Sequence, residues 1–216
     1  MVMSMEVVFD DVSLRFADKN IFSSLNIRFK SHKITLIKGA NGSGKSTLLK
    51  LAAHILSPDF GKVFISDGDK HLKGREYQTQ IAMLSPDMKL YENLTPSENL
   101  RFFLGLRGIK PQNEEISKLW RRVNLKEEEL KNKFSANLST GMNQRVKFAI
   151  LLAVDSPVWL MDEPAANLDE AGRNIIINEA KRAAAKGKTI LWATNDEREF
   201  KIADDIVDLN KAEDIT

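Results

Sequence analysis

The sequence has 216 residues, of which 43% are apolar and 29% are charged, a composition typical of a folded domain and not of a disordered chain. The 32 basic and 30 acidic side chains leave a net charge of +2, so no strong field directs the chain to nucleic acid. The absence of cysteine excludes disulfides and thiolate metal sites. The longest apolar run, from Phe148 to Val154, is far shorter than the roughly 20 residues that span a bilayer.

Short strands are predicted for the first third of the chain, where apolar residues alternate in MEVVF, VSLRF and SSLNIRF. Asp10–Asp11 and residues 17–20 are predicted to be turns between these strands. The next predicted elements are a buried strand at 33–38, a helix at 46–56 that stops before a proline, and a strand at 61–66.

The middle of the chain carries helical signals instead. Thr95-Pro96-Ser97-Glu98 has the pattern of a capping box with proline at the first helical position. Helical periodicity also covers residues 113–123 and 140–154, so the region of about 87–155 is predicted to be a helical insertion.

Strand and helix patterns alternate again in the last part of the chain. A strand is predicted at 158–161, a helix at 169–186 ended by Gly187, and further strands at 189–193 and 206–209. Such alternation predicts an α/β domain with a parallel sheet that binds ligands at the carboxyl ends of its strands.

A phosphate-binding loop is predicted between the strand at 33–38 and the helix that follows it. Its pattern is carried by nine successive residues: Gly39, Ala40, Asn41, Gly42, Ser43, Gly44, Lys45, Ser46 and Thr47. The glycines allow backbone N–H groups to surround phosphate oxygens at the positive end of a helix. Lys45 is predicted to reach the β- and γ-phosphates of a nucleotide, and Ser46 to supply its hydroxyl to Mg²⁺.

Two adjacent carboxylates, Asp162 and Glu163, follow the apolar strand at 158–161. In isolation this pattern also fits an ordinary solvated strand end. Downstream of a phosphate loop, Asp162 is predicted to hold Mg²⁺ through water, and Glu163 to polarise the attacking water.

The segment LSTGMNQR, Leu138 to Arg145, distinguishes among phosphate-loop proteins because it resembles the signature of ABC transporter ATP-binding subunits. The resemblance covers the whole chain. It implies one ABC ATPase domain over 1–216, with a P-loop NTPase core, an N-terminal antiparallel β subdomain and an inserted helical subdomain. Residues 166–169 look like the D-loop of that family, and 189–196 look like its switch strand.

Further site residues follow from this resemblance. Phe16 falls where the family places an aromatic ring that stacks on adenine, although an ordinary core-facing strand residue remains the alternative. Ser139 and Gly141 would form a second anion-binding helix end that faces the γ-phosphate held by another subunit. Asp169 belongs to the D-loop pattern, and Asn195 stands at the switch position.

The resemblance also implies cofactors, partners and a location. ATP and Mg²⁺ would bind in a sandwich formed with a second copy of the chain or a related cassette. A transmembrane subunit would couple this dimer to transport, which places the protein in the cytoplasm at the inner face of the cell membrane. A nucleic-acid partner is not expected.

Three features depart from the family pattern. Thr140 and Met142 replace a glycine and a glutamine of the signature, and Pro86 stands where the Q-loop has glutamine, with Asp87 beside it. Asn195 replaces the usual switch histidine and provides neither positive charge nor a proton shuttle. In one hypothesis, Glu163 and Lys45 carry the chemistry of a slower ATPase while Asn195 keeps the geometry by donating its amide N–H to the γ-phosphate. In the other, the site of a regulatory cassette mainly binds ATP and a partner domain hydrolyses it.

The LSxGM-type signature and the segment LYENLTPSENLRFF are most similar to the ATP-binding subunit of the heme exporter of cytochrome c maturation. That likeness implies a role in heme export for cytochrome assembly. Other short exporter ATPases share these traits and remain the alternative.

Overall fold

The computed structural model describes residues 5–17 and 19–210, which divide into two compact units. The first unit contains residues 5–83, 156–163 and 180–210. The second contains residues 84–155 and also 164–179, a segment beyond the helical insertion predicted from the sequence. Asp18, in the predicted turn at 17–20, lies outside the described residues, whereas Lys19 and Asn20 already belong to a strand.

The strands, in chain order, are β1 (Met5–Phe16), β2 (Lys19–Phe29), β3 (Lys33–Lys38), β4 (Phe60–Asp67), β5 (Lys70–His71), β6 (Ile81–Leu84), β7 (Val158–Asp162), β8 (Thr189–Ala193) and β9 (Asp205–Asp208). The helices are α1 (Lys45–Ala52), α2 (Gly74–Thr79), α3 (Pro96–Gly105), α4 (Asn113–Arg122), α5 (Glu127–Leu130), α6 (Thr140–Val154) and α7 (Glu170–Ala185). Short 3₁₀ helices cover Ser135–Asn137 and Glu197–Ile202.

An antiparallel sheet of the first unit has the strand order β2-β1-β4-β5. The turn predicted at Asp10–Asp11 is wrong, because β1 continues through an irregular register in which Asp11 has a φ of 52°. The N–H of Asp11 donates to Asn26 Oδ1 at 2.9 Å. Gly61 on β4 accommodates the bend, since a Cβ at that position would lie 2.2 Å from the carbonyl oxygen of Asp11.

The second sheet has the order β6-β7-β8-β3-β9. β8 pairs in parallel with β3 and β7, and β9 pairs in parallel with β3, which confirms the predicted α/β class. Ala193 lies beside Ile37 on one side and Asp162 on the other. The segments that follow β3, β7 and β8 therefore leave the sheet at the same edge.

Helix α1 ends four residues earlier than the sequence predicts. His54 adopts a left-handed conformation with a φ of 54°, and its N–H donates to Leu51 O at 3.0 Å. The N–H of Ile55 donates to Lys50 O at 2.9 Å, which completes a Schellman motif. This motif, and not the later Pro58, ends the helix.

The second unit is helical. Helix α6 packs against α3 and α4, and the apolar side chains between them are buried. Thr95 caps α3 in the predicted capping box, because its hydroxyl accepts from the N–H of Glu98 and that carboxylate accepts from the N–H of Thr95. Asn99, fully buried, donates through Nδ2 to Ser135 Oγ at 2.9 Å and accepts from the N–H of Tyr91 at 2.7 Å. Within 5–17 and 19–210, no helix has the length and apolar character of a membrane span.

Candidate nucleotide site

The predicted phosphate loop connects β3 to α1 at the carboxyl edge of the parallel sheet. Its lysine is 8% exposed, and its ammonium donates to the carbonyl oxygens of Gly39 and Ala40 at 2.7 and 3.2 Å. Gly42 and Gly44 have φ values of 80° and 99°, which residues with a Cβ rarely adopt. No side chain caps the start of α1 at Gly44. The first N–H groups of this helix therefore have no side-chain acceptor, and a bound anion would accept hydrogen bonds from them.

Tight packing fixes the shape of this loop. A Cβ at Gly39 would lie 2.3 Å from Ser43 Oγ, and a Cβ at Gly44 would lie 2.9 Å from the ring of Phe22 on β2. Ser43 Oγ is buried and has no hydrogen-bond partner among the described residues. Ser46 and Ala40 are exposed, as are Asn41 and Gly42, whereas Thr47 is half-buried.

The segment after β9 also holds the phosphate loop, a role that the sequence analysis missed. Asn210 Oδ1 accepts from the N–H of Ala40 at 2.9 Å. Asp208 Oδ2 forms an ion pair with Lys38 Nζ at 3.1 Å, and the Asp208 side chain also accepts from the N–H of Asn210. The contacts with Ala40 and Lys38 each join residues 170 positions apart, so no local sequence pattern could have indicated them.

The two predicted carboxylates lie at the same sheet edge. Asp162 is the last residue of β7 and is 5% exposed. Glu163 is half-buried with a φ of 48°, and its N–H donates to Ala193 O at 2.9 Å. Burial raises the pKa of Glu163, the charges of Glu199 and Asp162 raise it further, and Lys45 together with the N–H of Asn195 lowers it.

Glu199 is a second residue that the sequence analysis did not identify. It lies in the 3₁₀ helix after β8, is 2% exposed, and accepts from Trp192 Nε1 at 2.8 Å. A buried acid near Glu163 adds to the negative charge at this edge. Its segment, NDEREF, is rich in charge and resembles an exposed loop, which explains why sequence patterning did not single it out.

The residue at the predicted switch position contacts the phosphate loop directly. Asn195 is exposed, and its Nδ2 donates to Asn41 Oδ1 at 2.7 Å. An amide at this position retains a hydrogen-bond donor without an ionisable group.

The predicted aromatic residue, Phe16, is the last residue of β1 and is 46% exposed. A strand residue facing the core would be buried, so this exposure argues against that alternative for Phe16. The ring is therefore accessible to a ligand on the same unit that carries the phosphate loop.

The signature residues lie in the second unit, at the start of α6. Ser139 is the N-cap of this helix and is exposed, and its Oγ accepts from the N–H of Met142 at 3.2 Å. Gly141 is half-buried, and a Cβ there would be 3.4 Å from the carbonyl oxygen of Asn167. Gln144 Nε2 donates to Pro164 O at 2.7 Å, so the signature helix also contacts the segment just before the predicted D-loop.

Asp169, the last residue of the predicted D-loop, is exposed. Its Oδ1 accepts from the N–H of Gly172 at 2.8 Å, and its carbonyl oxygen accepts from the N–H of Arg173. These bonds give Asp169 a local role as the cap of α7.

Residues of the first unit fit a magnesium nucleotide. The backbone cradle, the buried hydroxyl of Ser43 and the lysine ammonium provide donors for phosphate oxygens. Ser46 provides a hydroxyl and Asp162 a carboxylate, which are oxygen ligands of the kind that Mg²⁺ prefers.

Comparison with known proteins gives a family match over residues 22–166, about two thirds of the chain, to the model described as ABC transporter. The chain is 33% identical over 211 residues to the sulfate/thiosulfate import ATP-binding protein CysA of Mesostigma viride, covering 95% of this chain and 60% of that protein. It spans 55–60% of the length of this and two other CysA relatives.

A second relative is the cytochrome c biogenesis ATP-binding export protein CcmA of Rickettsia bellii strain RML369-C. It is 29% identical over 195 residues, which cover 90% of this chain and 95% of that protein. Among solved structures, the fold resembles one described as the ATP binding subunit of an ABC transporter, with a TM-score of 0.80 and 26% identity over 94% of this chain and 85% of the other.

Proposed function

Because this chain belongs to the ABC transporter family, we propose that it binds and hydrolyses ATP to drive transport through a membrane partner. One observation carries the proposal: a lysine-bearing phosphate loop and the Asp162–Glu163 pair meet at one edge of the parallel sheet. This arrangement provides donors for phosphate oxygens, a metal ligand and a base in one place.

The phosphate loop binds the nucleotide tail in this proposal. The ammonium of Lys45 exchanges the carbonyl oxygens of Gly39 and Ala40 for β- and γ-phosphate oxygens, which are stronger acceptors because they are charged. The first N–H groups of α1 donate to the same phosphates. The exposed ring of Phe16 stacks on the base.

Ser46 and Asp162 would hold Mg²⁺, which supplies charge neutralisation at the phosphates when bound. Glu163 then accepts a proton from the attacking water as its oxygen bonds to the γ-phosphorus. The bond between the γ-phosphorus and the bridging oxygen breaks, and ADP leaves with that electron pair. Asn195 donates to the γ-phosphate through its amide instead of to Asn41.

A second copy of the chain, or a related cassette, completes the site. The exposed N-cap of α6, with Ser139 and Gly141, is an anion-binding helix end that the phosphate loop of another copy can use. Asp169 belongs to the predicted D-loop segment, whose Asn167 carbonyl lies beside Gly141 of this helix. In this scheme ATP joins the two copies, and hydrolysis removes the charge that holds them together.

Phosphate release by the purified chain tests this proposal. The Glu163→Gln variant keeps the size of the side chain but removes the base, so we expect it to bind MgATP with unchanged affinity and to release phosphate at least about a hundred times more slowly. It should also accumulate as an ATP-bound dimer in size-exclusion chromatography with light scattering.

The control is Glu197→Gln, an exposed acid in the 3₁₀ helix after β8, which should hydrolyse ATP at the normal rate. Equal turnover in the unsubstituted protein and Glu163→Gln would contradict the proposed base. A protein that binds ATP but does not release phosphate, alone or with its membrane partner, would instead support the regulatory alternative that Asn195 suggests.

A transmembrane subunit is the proposed partner, and the exposed apolar side chains of Tyr91, Phe102 and Leu106 in the second unit offer it a contact surface. Such binding would place the protein at the inner face of the cell membrane.

For the cargo we propose heme exported for cytochrome c assembly, supported by the likeness to CcmA and by the LSxGM signature. Deletion of the gene should then abolish heme-stained c-type cytochromes, whereas normal cytochromes together with impaired growth on sulfate or another nutrient would favour a different transporter. Growth on sulfate is included because the chain is also similar to a sulfate/thiosulfate import ATP-binding protein.

A further inference from the structure

Lys19 connects the two parts of the first unit that the proposed function assigns to the nucleotide. It is the first residue of β2, where the sequence predicts only a turn, and it pairs across the hairpin with Phe16 of β1. Its ammonium donates to the carbonyl oxygen of Gly42 in the phosphate loop at 3.3 Å. Directly opposite residues of an antiparallel pair project from the same face, so Lys19 and Phe16 share one side of the hairpin.

The start of β2 lies against the phosphate loop at further points. A Cβ at Gly44 would be 2.9 Å from Phe22 Cζ and 3.0 Å from Ile21 Cγ2. The start of β2 is therefore packed on the loop at Ile21 and Phe22. The position of the Lys19 side chain follows from this packing.

A nucleotide whose base stacks on Phe16 and whose phosphates lie in the loop must cross the space between them. Lys19 pairs with Phe16, and its ammonium contacts the Gly42 carbonyl of the loop, so the residue adjoins both ends of that path. A carbonyl oxygen is a weak acceptor for an ammonium compared with a phosphate oxygen. An approaching nucleotide therefore offers Lys19 a stronger partner without requiring the backbone to move.

We propose that Lys19 is a second nucleotide-binding cation, which leaves the Gly42 carbonyl and contacts the phosphate chain near the ribose. The inference rests on the proposed function, since it requires the phosphate loop and Phe16 to bind one nucleotide. Lys45 approaches the phosphates from within the loop, whereas Lys19 reaches them from the hairpin outside it. The side chain is exposed, so the contact contributes mainly to affinity and is weakened by salt.

Three variants and equilibrium binding without Mg²⁺ test this inference. Lys19→Gln keeps a hydrogen-bond donor for Gly42 but has no charge, and Lys19→Arg keeps the charge. Lys30→Gln is the matched control, because Lys30 is exposed and lies just beyond the opposite end of β2. ATP and ADP compete with a fluorescent ATP analogue at low and high salt, and the thermal midpoint of each variant confirms folding.

We expect Lys19→Gln to lose affinity for ATP and ADP by about tenfold at low salt, with a smaller loss at high salt. Lys19→Arg should remain within about twofold of the unsubstituted protein, and Lys30→Gln should not change. Unchanged affinity in Lys19→Gln would overturn the inference and confine Lys19 to shaping the loop.

A failure of the proposed function would give different results in these binding measurements. If the unsubstituted protein bound no ATP, or if Lys45→Gln bound it equally well, the phosphate loop itself would not be the nucleotide site. Tight, Lys45-dependent binding with no effect of Lys19→Gln would refute only the role of Lys19.

Discussion

Glu163 has a backbone conformation that a residue with a side chain rarely adopts. Its φ of 48° costs about 1–3 kcal/mol and persists only where the surrounding structure fixes it. The hydrogen bond from its N–H to Ala193 O provides such a constraint, and it links the end of β7 to β8.

The pKa of Glu163 yields a prediction at the residue scale. A base must be ionised, so phosphate release should fall as the pH drops through the pKa of Glu163. Burial and the charges of Glu199 and Asp162 raise this pKa, against the lowering effect of Lys45 and the Asn195 N–H. Glu199→Gln removes one of the negative charges and should lower this pKa. The acidic limb of the pH–rate profile should therefore move to lower pH.

The measurement is kcat against pH for both proteins, with Glu197→Gln as the exposed control from the same 3₁₀ helix. Melting temperatures check that the hydrogen bond between Trp192 and residue 199 has survived. A shift of the acidic limb to higher pH would contradict the electrostatic role of Glu199.

Sequence patterning could predict roles for residues whose motifs lie within a few neighbours in the chain, such as Lys45 and Ser139. It missed those whose function depends on distant contacts. Asn210 supports Ala40 from 170 positions away, and Glu199 is buried and accepts from Trp192 although its own segment reads as a charged loop. Neither contact has a local period or spacing by which it could be found.

At the scale of elements, the proposed function makes nucleotide binding depend on the connection between β3 and α1. We expect Gly44→Ala to lower ATP affinity more than about tenfold, because a Cβ there meets Phe22 at 2.9 Å and the φ of 99° suits only glycine. Isothermal titration with ATP measures the loss.

The matched control is Gly68→Ala in the turn between β4 and β5. Gly68 also has a positive φ, of 60°, but no heavy atom lies within 4 Å of the added Cβ. Its unfolding free energy should fall by about 1 kcal/mol from backbone strain, with ATP affinity unchanged. Equal losses of affinity in both variants would show that strain alone, and not the packing of β2 on the loop, is responsible.

Elements with strong local signals were predicted well. The bounds of α6 and the capping box of α3 are confirmed, because helical period and capping are encoded within a few residues. The end of α1 was predicted four residues too late, because the Schellman motif that ends it has His54 at the left-handed position instead of a glycine. The continuous β1 was also missed, because its irregular register at Asp11 depends on Gly61 in another strand.

At the scale of the whole molecule, the proposed site needs two chains, and a mixing experiment tests this. Lys45→Ala removes the phosphate loop lysine, and Ser139→Glu places a negative charge at the start of α6. Each variant alone should be inactive. A mixed dimer has one intact composite site, so equal amounts should recover about a quarter of the normal rate of phosphate release.

Random pairing predicts this recovery only if each site combines Lys45 of one chain with Ser139 of the other. A mixture that remains as inactive as its components would argue that both residues act within a single chain, or that both sites must be intact for turnover.

The hydrogen bond from the Ala40 N–H to Asn210 has a practical consequence for protein engineering. A purification tag or fluorescent reporter fused directly after this asparagine would act on the predicted phosphate loop through this hydrogen bond. A spacer of several flexible residues would separate the loop from the motion of the attached protein. Biochemists comparing tagged preparations should therefore treat linker length as an experimental variable.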